Sequence, residues 1–122
     1  MPVIKTWLTP EMREEQFNEL YNALWSAVED VPELGLSQSR PQEVTFLFPS
    51  DRMKKGLGQY LIVEVGRLTP KSERTLDVRN QLARELGGVL VAFFRDIMFV
   101  EVFVDPDGFW SWTRKERNRD VE

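Results

Sequence analysis

The chain opens with Met1-Pro2, the first residue pair in it that could do chemistry. An initiator methionine followed by proline is usually removed, and its loss would expose a secondary amine at the head of a strand. A proline amine buried near cationic side chains has a depressed pKa, because desolvation and like charge both disfavour the protonated form. Such an amine could serve as a general base near neutrality. With Met1 retained, the Pro2 nitrogen is an amide and has no such role. Lys5 follows on the same segment, either beside Pro2 in a pocket or on the polar face of the strand.

Two absences narrow the alternatives. Among the 122 residues there is no cysteine and no histidine. This excludes a disulfide, a thiolate nucleophile, an imidazole base, a Ser-His-Asp triad and thiolate or imidazole metal ligands. Acid–base chemistry near neutral pH must then use a shifted carboxylate, a shifted lysine or the amino terminus. The net charge of −4 argues against a nucleic-acid partner. Gly56-Leu57-Gly58 lacks the lysine and the strand-to-helix setting of a phosphate loop. Glu11, Glu14 and Glu15 complement a helix N-terminus. No targeting segment is visible, and the apolar run at 89–94 is too short to span a bilayer. The expectation is a cytoplasmic protein with no membrane partner.

The elements that must position Pro2 follow from periodicity and punctuation. Residues 3–8 read as a strand. Thr9-Pro10 then supplies an N-cap and a first helical residue. Phe17, Leu20, Tyr21, Leu24 and Val28 recur at three- and four-residue spacing, the stripe of an amphipathic helix reaching Asp30. A loop over 31–41 precedes a second strand at 43–48, and 51–58 reads as an exposed basic turn. Residues 60–68 form a third strand, with Arg67 at its end as a solvated or subunit-contact residue. Thr69-Pro70 predicts a second helix, with Leu76, Leu82, Leu86, Leu90 and Phe93 on its apolar face. Gly87-Gly88 weakens this helix by about 1 kcal/mol per glycine. Residues 89–94 either continue it or turn back as a strand; Arg95-Asp96 is a poor hairpin dipeptide, which favours the helix. Residues 97–104 are a clear strand, and Phe109, Trp110 and Trp112 follow a Pro/Asp/Gly turn.

Leu8-Thr9-Pro10 is echoed by Leu68-Thr69-Pro70, each copy after a strand and before a helix. The order of elements repeats as well, so the chain reads as two tandem β-α-β units. The fold class is α+β, with a four-stranded mixed sheet and both helices on one face. The domain covers residues 1–112, and 113–122 is a charged tail. A ferredoxin-like antiparallel sheet is the other assembly of the same elements. In the crossover assembly the helix-free face needs covering, and association of subunits around a common axis would provide it.

The Met1-Pro2-Val3-Ile4-Lys5 start, the segment Pro41-Gln42-Glu43-Val44-Thr45-Phe46 before Pro49-Ser50-Asp51, and Arg74-Thr75-Leu76-Asp77-Val78-Arg79 resemble the tautomerase superfamily. The similarity is to its long-chain members: the macrophage migration inhibitory factor group, 5-carboxymethyl-2-hydroxymuconate isomerase and malonate semialdehyde decarboxylase. The resemblance implies a homotrimer that acts on enol or keto acids with no metal or organic cofactor. It also implies Pro2 as the catalytic base. Arg74 and Arg40 would bind the carboxylate of a small-molecule substrate, with Lys5 near the base and Trp110 bordering the pocket. Thr45 stands where some members carry an arginine, and Arg40 falls near the loop acid of the decarboxylase. These departures favour tautomerisation over decarboxylation. The other reading is a non-catalytic oligomeric binding or scaffold protein of the same or ferredoxin-like fold.

Overall fold

A computed structural model describes residues 2–8, 12–49, 60–105 and 108–114. The protein is α+β, with two helices and a five-stranded mixed sheet. The strands are β1 (Val3–Trp7), β2 (Thr45–Leu47), β3 (Tyr60–Gly66), β4 (Phe99–Val104) and β5 (Gly108–Thr113). Helix α1 (Glu14–Glu29) lies in the chain between β1 and β2, and α2 (Leu76–Phe93) between β3 and β4. The spatial order is β2-β1-β3-β4-β5. β1 pairs parallel with β2, β3 parallel with β4, and the central β1 and β3 pair antiparallel. Parallel neighbours need a long crossover, and in each parallel pair a helix supplies it.

Alternation along the strands sorts their side chains onto two faces. Ile4, Thr6, Leu61, Val63, Val65, Val100, Val102 and Val104 are buried beneath the helices. They share one core with Leu20, Leu24, Trp25 and Val28 of α1 and Leu82, Ala83, Leu86 and Leu90 of α2. Lys5, Glu64, Phe103 and Phe109 lie on the opposite face and are exposed.

The fifth strand corrects the expected count of four. Residues 108–113 carry aromatics on both faces, so they lack the simple apolar–polar alternation of a strand. What makes them one is a tight return: Val104 pairs with Gly108, and the antiparallel register then runs to Phe99↔Thr113. Gly108 passes close to α2, where an added Cβ would meet the Cβ of Arg79 at 2.9 Å. Trp110 and Trp112 turn toward the helices and pack on the core.

The second helix starts at Leu76, later than Thr69-Pro70 predicts. Thr75 is the true N-cap, its hydroxyl accepting from the Val78 N–H at 3.2 Å. The preceding loop has other partners: the Arg74 N–H donates to the Lys71 carbonyl at 2.9 Å. The helix then runs through Gly87-Gly88 to Phe93, so 89–93 is helical. Gly87 is there for packing. A Cβ at this position would lie 2.0 Å from the Trp110 ring. In α1 the Gln16 side chain accepts from the Arg13 N–H at 2.9 Å, and Glu14 and Glu15 occupy the first turn. Helix α1 begins at Glu14 with Arg13 as its N-cap, later than the Thr9-Pro10 signal predicts. Thr9-Pro10 itself, the whole 51–58 turn, Pro106-Asp107 and the tail beyond Arg114 lie outside the described residues.

Candidate functional site

The open face of the sheet holds a cleft of about 970 Å³. Its walls come from four strands and their ends: Val3 and Lys5 of β1, Thr45 and Leu47 of β2, Glu64 to Gly66 of β3, and Phe103 and Val104 of β4. Arg67, Asp105, Gly108 and Phe109 line the end where β3 and β4 finish and β1 begins.

Pro2 directly precedes Val3 at that end and does not itself line the cleft. It is buried, and its carbonyl accepts from the Thr45 N–H at 3.0 Å. The next residue, Val3, pairs with Thr45 on one side and Gly66 on the other. Central placement in the sheet therefore fixes the start of β1 on both flanks. Lys5 is exposed and lines the cleft, with Leu47 and Glu64 as its cross-strand neighbours. Glu64 is engaged elsewhere, since its Oε1 accepts from Trp7 Nε1 at 3.0 Å. Among the described residues, Lys5 has no ion pair in the cleft.

The other residues singled out by sequence do not line this cleft. Arg74 is only 5% exposed, and its guanidinium spans two loops. One terminal nitrogen donates to the Thr69 carbonyl at 2.8 Å and the other to the Leu34 carbonyl at 2.9 Å. Its Nε–H is buried without a partner, as is that of Arg79, whose side chain donates to the Arg74 carbonyl. Arg74 therefore clamps the α2 approach to the segment after α1. Arg40 is on an exposed loop, its Nε paired with Glu43 Oε1 at 3.0 Å and its NH2 on the Gly35 carbonyl at 3.0 Å. Trp110 is on the helix side of β5, over Gly87.

Arg67, expected from the sequence to be solvated or at a subunit contact, is exposed and lines the cleft. Its φ is 60°, in the left-handed region that costs a side-chain-bearing residue about 1–2 kcal/mol. The signal available in sequence was Gly66-Arg67 at a strand end, but it points to glycine as the residue that would turn. Among the described residues, no group of three or more acidic side chains gathers as a metal site. No helix among them is long and apolar enough to cross a membrane. Comparison of the sequence with models of known families and with curated proteins finds no match.

Proposed function

We propose that this chain is a cofactor-independent, tautomerase-like protein that uses Pro2 as a general base on enol or keto acids. The observation that carries the reading is the seat of Pro2: buried at the head of a central strand, anchored through Thr45, and directly preceding Val3, which lines the cleft. Two parallel strand pairs, each bridged by a helix, also support the reading, as they accord with the tandem β-α-β units expected from the sequence.

With Met1 removed, the Pro2 nitrogen carries a lone pair. In the ketonising direction it takes the enol O–H proton as the C=O bond forms, and the carbon that had been doubly bonded receives a proton. In reverse it takes the proton from carbon, and the oxygen is protonated. A homotrimer with sheets packed about a common axis would wall in the cleft and cover Leu47, Tyr60, Phe103 and Phe109, all exposed in the single chain. The cytoplasm fits this reading, and no metal or organic cofactor takes part in it.

The test has two parts. Intact mass of the native protein should show loss of Met1. Enol–keto conversion of phenylpyruvate or 2-hydroxymuconate should then depend on Pro2. Full activity in Pro2→Ala would remove the base.

One observation favours the second reading, a binding or scaffold protein that keeps the fold without the chemistry. Arg74, the expected carboxylate ligand, is occupied by two backbone carbonyls. A trimer that lacks enol–keto activity with Met1 removed would establish that reading.

A further inference from the structure

We propose that Arg67 holds the acid group of the ligand in this cleft, in the role that the family resemblance implies for Arg74 and Arg40. The inference rests on the reading that the Pro2 end of the cleft is the ligand site.

Three observations converge on it. The first is position. The antiparallel register of β1 and β3 ends at Val3↔Gly66. One residue beyond that pair the two chains carry Pro2 and Arg67. The second is availability. Arg67 is exposed, lines the cleft, and among the described residues has no ion pair or hydrogen bond. The carboxylates that share the cleft, Glu64 and Asp105, do not pair with it; Glu64 is held by Trp7, and the Asp105 backbone N–H is bonded to the Val65 carbonyl. The third is strain. Arg67 has φ 60°, while the adjacent Gly66, which would adopt that conformation at no steric cost, does not. Left-handed backbone at a residue with a side chain persists only where its surroundings over-determine it, and such positions cluster at ligand sites.

The ligand class is a small carboxylate. A guanidinium presents a planar fork that matches a carboxylate in two hydrogen bonds. Lys5, the other cation lining the cleft, adds favourable charge along the same wall. By contrast, Arg74 has both terminal nitrogens on backbone carbonyls, and Arg40 has its Nε on Glu43 and one terminal nitrogen on the Gly35 carbonyl.

The experiment separates this role from the chemistry of Pro2 by measuring binding alone. Phenylpyruvate and its methyl ester are titrated by calorimetry into the wild-type protein, Arg67→Gly, Arg67→Lys and the exposed-helix control Arg84→Gln. The expected result is an acid-over-ester preference that falls about tenfold or more in Arg67→Gly. It is partly kept in Arg67→Lys and unchanged in Arg84→Gln. The melting temperature of Arg67→Gly stays level or rises, because glycine relieves the left-handed strain. An Arg67→Gly protein that is folded and keeps the acid preference overturns the proposal. So does wild-type protein that binds acid and ester equally, or neither. Arg67-dependent binding without turnover leaves this inference standing and removes the Pro2 base instead.

Discussion

The two faces of the sheet use the same strands in opposite ways. Beneath the helices, β1, β3 and β4 contribute Ile4, Leu61, Val63, Val65, Val100 and Val102, each sealed from solvent. On the other face the alternate residues of the same strands are half-buried or exposed, and Lys5, Glu64 and Phe103 are the exposed ones at the cleft. The first set holds the fold, and the second is free of that duty. The arginines divide in the same manner. Arg74 is buried and bound to two carbonyls, while Arg67 is exposed, strained and unpaired among the described residues. The lesson is that a cation at a helix start can be consumed by the fold, and a cation at a strand end can stay exposed at the rim of a cleft.

Substitutions should break this contrast in order of depth. Trp25→Ala, in the fully buried layer of α1, should cost about 3–5 kcal/mol in chemical unfolding. The loss includes the tilted contact with Phe46, 5.4 Å between ring centroids. Gly87→Val should come next, at about 1–3 kcal/mol, because the new side chain overlaps the Trp110 ring. Tryptophan fluorescence would report the displaced ring. Arg74→Gln should lower stability by about 1–3 kcal/mol, since the Thr69 and Leu34 carbonyls lose their donors. A stability unaltered in that variant would contradict the clamp. Phe109→Ser, on the open face, should change the stability of the single chain by at most about 0.5 kcal/mol. Its effect should appear in sedimentation instead, as weaker subunit association. If Phe109→Ser unfolds the chain as Trp25→Ala does, the two faces do not differ as described.

Much of the frame was legible in the sequence because its signals are local. The stripe Leu20, Leu24 and Val28 marked α1, and the four strands at 3–7, 45–47, 60–66 and 99–104 fall within their apolar segments. The continuation of α2 through Gly87-Gly88 was also legible, although its cause was not. That cause is a tryptophan from β5, distant in sequence. The start of α2 was misplaced because Thr69-Pro70 and Thr75 both offer capping chemistry. The choice between them is made by Arg74, whose second partner, Leu34, belongs to another loop. β5 was missed because Phe109, Trp110 and Trp112 do not alternate in polarity. For the site, Lys5 was read either as a pocket residue beside Pro2 or as a polar-face residue; it stands exposed on the open face and lines the cleft. Arg67 was not read as a cleft residue, since neither its left-handed backbone nor its place beside Pro2 has a local signature.

The central claim is that a proline amine at the head of β1 is the base. The measurement that meets it most directly is the rate of phenylpyruvate enol–keto conversion by protein whose chain begins at Pro2, set against Pro2→Ala processed to the same position. The predicted result is a fall of about hundredfold or more. An equal rate in the two proteins would contradict the claim.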